Sequence, residues 1–175
     1  MADTIQTSVA ITKSNVFTQV FANIYNLINN RSNIPDPNDS SGNRKFVYIK
    51  EPNFSSDNFQ GFPLIIVQDE GHSQGNKTAD ATKAFISDEI TIIAMAQDKE
   101  ADGVGNPSGF ATLNTISDYI LEVLNNTSNS RTLRSNGIRN KEFSAIDFDW
   151  GLVDNKPIFR REFHLRFSNQ LRVIA

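Results

Sequence analysis

Residues 158–167 read IFRREFHLRF, a stretch in which apolar and polar side chains alternate. Successive side chains of a β-strand point to opposite faces of the sheet. One face of this strand is therefore predicted to carry Phe159, Phe163, Leu165 and Phe167, and the other Arg160, Glu162, His164 and Arg166. A strand with one apolar and one polar face is typical of an antiparallel sheet that is buried on one side only.

The residues just before this stretch predict its partner strand. Residues 143–150 form a second strand-like run, and the connecting residues 151–157, GLVDNKP, contain the Gly, Asn and Pro that favour turns. Asp147 and Asp149 lie two residues apart and so point the same way. The arginines of the following strand predict ion pairs between the two strands, which stabilise an antiparallel pair modestly.

Three more strands are predicted nearer the N-terminus. Residues 64–67, LIIV, are aliphatic without a break, which favours a strand that is buried on both faces. Residues 46–50 and 85–97 form the other two strands. The segment 69–84 has two glycines and no large apolar side chain. It is predicted to be a long polar loop, and loops of this length are usually functional or mobile.

Two helices complete the pattern. Apolar residues recur at helical spacing along residues 16–28 and again along 110–124, which gives each helix one apolar stripe. The predicted order is helix, three strands, helix, two strands. Because strands do not alternate regularly with helices, this order favours an α+β fold, with a mostly antiparallel sheet and two amphipathic helices packed on it. We predict a single domain over residues 14–175, preceded by a flexible arm at 1–13.

Composition narrows the class of protein. The chain has 175 residues, about the length of one domain, no cysteine and a net charge of −3. The lack of cysteine excludes a disulfide scaffold and thiolate metal sites. No apolar run approaches the ~20 residues of a membrane span, and residues 1–15 lack the apolar core of a secretory signal. We therefore expect a soluble protein without a membrane segment.

No motif in the chain predicts catalysis. Gly103 and Gly105 lack the spacing of a nucleotide-binding loop, and no serine lies in a nucleophile-elbow motif. His72 lies beside Asp69 and Glu70, but one histidine and two carboxylates in a loop are common by chance. We predict no enzyme activity, no cofactor and no metal site.

Charge is distributed unevenly along the chain. Residues 131–175 contain nine basic and five acidic residues, a net charge of +4; since the whole chain carries −3, residues 1–130 carry −7. Such a division suits head-to-tail association of identical subunits, in which a basic face meets an acidic one. An alternative is nucleic-acid binding by the basic C-terminal segment, with Arg160 and Arg166 contacting phosphate groups.

Several segments together resemble the tail terminator, or tail completion, proteins of tailed bacteriophages. They are residues 61–67 (GFPLIIV), the polar loop 69–84, residues 89–94 (EITIIA), the helix 110–124, and the strand pair 146–150 (IDFDW) and 161–167 (REFHLRF). The similarity covers residues 15–172 and is a similarity of sequence pattern, not of an invariant motif. Head–tail joining proteins and other neck components share this α+β pattern and form the alternative.

The resemblance implies a structural virion protein, assembled in the host cytoplasm, that caps the head-proximal end of the tail tube. Such proteins form rings, commonly of six copies, that contact the tail tube protein and the head connector, and the genome passes through the lumen without specific binding. Residues expected to contact neighbouring subunits are His72, Asn76 and Lys77 in the loop 69–84, together with Arg160 and Arg166 on the polar face of the last strand.

Overall fold

The computed structural model describes residue 5 and residues 16–77, 83–98, 108–153 and 155–172. These residues form, in chain order, α1 (Val16–Ile28), β1 (Val47–Tyr48), β2 (Leu64–Lys77), β3 (Lys83–Gln97), α2 (Gly109–Asn125), α3 (Thr127–Ser135), β4 (Lys141–Val153) and β5 (Lys156–Arg172). The strands make one sheet in the order β1-β2-β3-β5-β4, in which β1 and β2 are parallel and the other pairs antiparallel. The predicted α+β class with a mostly antiparallel sheet is confirmed.

One face of the sheet, termed the helix side, is covered by two of the helices. It is the face onto which Ile65, Ile92 and Phe163 point, and these side chains share one core with the apolar stripes of α1 and α2. α1 packs on β2 and β3, and α2 packs on β3 and β5. Removal of this apolar surface from water, at about 25 cal/mol per Å², is the main favourable term in folding.

The opposite face, termed the far side, has a smaller core. It consists of Tyr48, Leu64, Ile66, Ile93, Met95 and Ile158. Phe54, Phe59 and Phe62 pack against it, with ring centroids 5.2–5.3 Å apart. Residues 64–67 are therefore buried on both faces, as their unbroken aliphatic run predicted.

The segment 69–84 is not a loop over most of its length, and that prediction was wrong. β2 continues to Lys77 and β3 begins at Lys83, so the two strands form a long hairpin. Backbone hydrogen bonds hold the strands together and need no apolar side chains. Polar composition therefore does not mark the end of either strand. Residues 78–82 lie outside the described part of the chain.

Two helices were predicted, and the structure has a third, α3, before β4. Asn126 caps this helix, because its side-chain oxygen accepts hydrogen bonds from the backbone N–H groups of Ser128 and Asn129 at 2.8 and 3.3 Å. Leu133 is the buried residue of the helix. A helix with so little apolar surface has no apolar period to reveal it in the sequence.

Of the predicted arm 1–13, residue 5 is described and the rest lies outside the described residues. The Ile5 backbone makes two hydrogen bonds with the Asn26 side chain: its N–H donates to Oδ1 at 2.9 Å, and its carbonyl accepts from Nδ2 at 2.6 Å. The Ile5 side chain packs against the helix-side core. Residue 5 is thus joined to α1.

The first residue of α2, Gly109, lies directly against the end of β3. A Cβ atom at this position would be 2.6 Å from the backbone carbonyl carbon of Gln97 and 2.7 Å from the backbone nitrogen of Asp98. Gly109→Ala is therefore expected to lower the free energy of unfolding by about 1–3 kcal/mol, measured by urea denaturation. Gly151→Ala is the control, because a Cβ at Gly151 meets no described atom within 4 Å. Equal losses for the two variants would contradict the prediction.

Candidate assembly surface

β4 is the outermost strand of the described sheet, so it pairs with β5 and leaves its other edge open. Open edges of natural sheets are usually protected by proline, lysine, a bulge or short length. In β4 a bulge lies between residues 143 and 145, but residues 145–153, AIDFDWGLV, contain neither proline nor lysine, have Asp147 and Asp149 as their charged residues, and pair with β5 in regular register. This part of the edge is competent to accept another strand.

Large apolar side chains are exposed along the helix side of β4. Ile146 lies directly opposite the buried Phe163 of β5, so the Ile146 side chain points to the helix side. The exposed residues are Ile146, Phe148, Trp150 and Leu152, with exposed fractions of 50, 49, 63 and 64%. They are termed the apolar row. Single exposed apolar residues are common, but a contiguous group marks an interaction surface.

One member of the apolar row, Phe148, packs against side chains of α2 and β5. Phe110 of α2 packs edge-on against Phe148 and Phe159, with ring centroids 5.8 and 5.7 Å apart. The guanidinium carbon of Arg161 lies 5.8 Å from the centre of the Phe148 ring, a cation–π distance. Because these contacts already hold Phe148, a partner that covers the row loses little conformational entropy in ordering the Phe148 side chain.

The far side of β4 carries acidic side chains, namely Glu142, Asp147 and Asp149. The Asp147 carboxylate is 3.2 Å from Nε2 of His164, and Nδ1 of His164 is 3.1 Å from the hydroxyl of Thr91. Asp147 therefore pairs with a histidine, whereas an arginine was predicted, and the residue directly opposite Asp147 on β5 is Glu162. β4 thus presents an apolar row on one face of the sheet and carboxylates on the other.

The two arginines predicted to contact neighbouring subunits each lie against a glutamate. Arg160 Nε is 2.8 Å from Glu162 Oε1. Arg166 donates to Glu89 Oε1 from Nε at 3.1 Å and from Nη2 at 2.6 Å, and this hydrogen bond raises the pKa of Arg166. Because both guanidinium groups already pair with a carboxylate, their geometry favours a role within the sheet over binding to phosphate.

The other predicted contact residues lie on the β2–β3 hairpin. His72 Nδ1 is 2.9 Å from a carboxylate oxygen of the buried Asp88, and its Nε2 is 3.5 Å from Asp69. Asn76 and Lys77 belong to β2, but their side chains lie outside the described part. The structure does not bring this group together with Arg160 and Arg166, since β3 separates β2 from β5.

The apolar row and Phe110 are not among the site residues predicted from the sequence. A signal was present, because residues 146–152 alternate between large apolar residues and aspartate or glycine. This alternation predicts a strand with one apolar face. It does not tell whether that face is covered, which depends on the position of the strand in the sheet.

A surface cavity of about 500 Å³ lies between α3 and the start of β4. Its lining comprises Ser130, Leu133, Arg134, Ile138, Arg139, Asn140 and Lys141. The Lys141 ammonium group donates to the carbonyl of Leu124 and, at 3.0 Å, to Oδ1 of Asn125; burial lowers its pKa. Lys141 therefore stabilises the C-terminal end of α2, as Arg134 in the last turn does for α3. These structural roles make the cavity a weaker candidate site than β4.

No protein-family model matches the chain, and no curated protein is significantly similar to it. Within the described ranges, no three His, Cys, Asp or Glu side chains are grouped as ligands of a metal ion. None of the described helices has the length and apolar character needed to cross a membrane. Four of the six large apolar side chains that are exposed among the described residues lie on β4, which makes the β4 surface the best-supported candidate site.

Proposed function

We propose that this protein is a structural subunit of a larger assembly and docks onto a neighbouring subunit through β4. The observation that carries the proposal is the apolar row, which is about half exposed or more and lies on a strand edge that no described strand covers. Monomeric proteins rarely leave such a contiguous apolar surface in water. A partner that covers the row buries four large side chains and satisfies the backbone groups of the edge.

The assembly that fits best is the head–tail junction of a tailed bacteriophage. In this proposal the chain is a tail terminator: six copies form a ring that caps the tail tube and joins it to the head connector, and the genome passes through the lumen. Support comes from the resemblance over residues 15–172 and from the β4 surface. The uneven charge of the chain suits contacts that close into a ring by rotation. A different neck or head–tail joining component is the alternative.

Ring formation is tested by native mass spectrometry and electron microscopy of the purified chain. We expect closed rings with a central hole, and the resemblance implies six subunits. A chain that stays monomeric at high concentration, both alone and with tail tubes present, would contradict the terminator proposal.

Docking through β4 is tested with the variant Trp150→Lys. Since Trp150 is 63% exposed, the free energy of unfolding should change by no more than about 0.5 kcal/mol. A charge in the apolar row should weaken binding to tail tubes of the parent phage by about thirty-fold or more, the size of a hot-spot loss. Co-sedimentation measures this binding. Trp150→Phe is the matched control and should bind nearly as well as the wild type, because it keeps an aromatic ring. Equal binding by the two variants would exclude β4 as the docking surface.

A further inference from the structure

The positive charge of the C-terminal part of the chain is concentrated in one short segment. Residues 131–175 carry a net charge of +4, yet residues 142–175 contain five basic and five acidic residues. The whole excess therefore lies in residues 131–141, which contain four basic residues and no acidic one. They are Arg131 and Arg134 of α3, Arg139 of the turn after it, and Lys141, the first residue of β4. These four residues are termed the basic patch.

The surface cavity between α3 and the start of β4, about 500 Å³ in volume, belongs to this patch. Arg134, Arg139 and Lys141 line it together with Ser130 and Asn140, and its described lining contains no carboxylate. Every charged side chain of that lining is thus a cation, and the hydroxyl and amide groups are further hydrogen-bond donors. A cavity with this lining suits an anion with several acceptor oxygens.

The arginines of α3 are not neutralised within the described part of the chain. Arg131 and Arg134 lie three residues apart, so they are neighbours on the helix surface, and both are exposed. Neither guanidinium group makes a hydrogen bond or an ion pair with a described residue. Glu142, the next acidic residue along the chain, lies on the far side of the sheet opposite Arg166, whereas Lys141 lies on the helix side. The charge of α3 is therefore available to a partner.

The basic patch lacks the apolar side chains on which protein partners dock. The large apolar side chains that are exposed among the described residues lie elsewhere: they are Ile49, Phe110 and the four members of the apolar row. The buried core of a protein interface is apolar and poor in charge. Binding to the backbone of nucleic acid requires only cations, because released counterions supply the affinity. The patch therefore fits nucleic acid better than an acidic protein.

We propose that the basic patch binds the phosphate backbone of nucleic acid, with one phosphate group in the cavity that Arg134 and Arg139 line. The planar guanidinium fork of arginine donates two parallel hydrogen bonds to phosphate oxygens. Contacts to phosphate carry no sequence information, so the binding is independent of base sequence. It is thus compatible with a genome that passes the protein without specific binding. The inference goes beyond the proposed function and depends neither on β4 nor on a ring.

Fluorescence anisotropy of a short labelled DNA duplex, titrated with the wild-type chain, tests this inference. We expect binding at low salt that weakens as salt is added. Each neutralised phosphate contributes about −0.9 to the slope of log affinity against log salt concentration, so the four cations predict a slope of about −3 to −4. A second duplex of unrelated sequence should bind equally well.

The decisive variant is the double substitution Arg131→Gln with Arg134→Gln. It removes two cations of the basic patch and keeps residues that favour a helix. We expect the salt slope to become shallower by about 2, and the affinity at low salt to fall at least about ten-fold. Circular dichroism and urea denaturation check that the variant keeps the wild-type fold.

The matched control is Arg160→Gln with Arg166→Gln, which changes the net charge of the chain by the same amount. Arg160 lies 2.8 Å from Glu162, and Arg166 lies 2.6 Å from Glu89. Because these cations already face carboxylates and lie outside the basic patch, their removal should change the affinity by less than about two-fold.

Three results would overturn the inference. The first is no binding of DNA at low salt. The second is an equal loss of affinity in the two double variants, because net charge and not the basic patch would then explain the binding. The third is equally tight binding of labelled polyglutamate with the same number of charges as the DNA, which would indicate an acidic protein as the partner. Each would leave the proposed function in place, since ring formation and binding to tail tubes are measured separately.

Discussion

Replacing Arg44 with alanine is expected to lower the free energy of unfolding by about 3–5 kcal/mol, measured by urea denaturation at neutral pH. Arg44 Nη1 donates to both carboxylate oxygens of Asp36, at 2.8 and 2.7 Å. The Asp36 side chain is fully buried, and that of Arg44 is 11% exposed. Removing one partner of a buried ion pair leaves the other charge uncompensated, which is the reason for the large loss.

Arg44 also links the irregular segment before β1 to the irregular segment that leads into β2. Its Nε donates to the carbonyl of Gln60 at 3.0 Å, and its Nη2 donates to the carbonyls of Gly61 and Pro63. These acceptors lead directly into the buried run at 64–67. The variant therefore loses backbone anchoring in addition to the ion pair, and the unpaired carbonyls add to its cost.

Arg31→Ala is the matched control for this prediction. Arg31 Nη1 lies 3.8 Å from Asp36 and 3.7 Å from Asp39, and the Arg31 side chain is 25% exposed. Its removal is expected to cost about 1–2 kcal/mol. Arg44→Lys should recover little of the loss, because a single ammonium group does not replace a planar guanidinium fork. If Arg44→Ala were no more costly than Arg31→Ala, the buried Asp36 would not depend on Arg44.

The parts of the fold that could be predicted from the sequence are those with an apolar period. α1 occupies the predicted residues 16–28, and the run 64–67 is buried on both faces as its aliphatic composition indicated. In both segments burial of side chains decides the structure, and burial leaves a spacing in the sequence. α3 and the outer half of the β2–β3 hairpin are held by caps and backbone ladders, which leave no such spacing.

The candidate site could be predicted only in part for a related reason. Phe163 and Phe148 belong to neighbouring strands with similar alternation, yet Phe163 is fully buried and Phe148 is 49% exposed. What separates them is the strand order, which puts β5 inside the sheet and β4 at its edge. Strand order depends on contacts between distant segments, and the alternation within one segment does not encode it. The exposure of the row could therefore not be predicted without knowing the strand order.

Phe163→Ala is expected to lower the free energy of unfolding by about 3–5 kcal/mol. Phe163 is fully buried on β5, with Ile92 of β3 opposite it on one side and Ile146 of β4 on the other. Truncation removes the ring and leaves a cavity beneath the helices. Because β5 is bonded to a strand on each side, its backbone cannot move inward to fill that cavity. Urea denaturation of the purified variant measures the loss.

Phe148→Ala is the control, with the same residue type one strand away. Phe148 keeps about half of its surface in water, so its truncation is expected to cost only about 1–2 kcal/mol. The difference between the two losses of unfolding free energy measures how much more the inner strand contributes to the core than the outer strand does. Docking through β4 requires the outer strand to contribute less. If Phe148→Ala were as costly as Phe163→Ala, Phe148 would act as a core residue. The apolar row would then be part of the folding core, with no surplus surface left for a partner to cover.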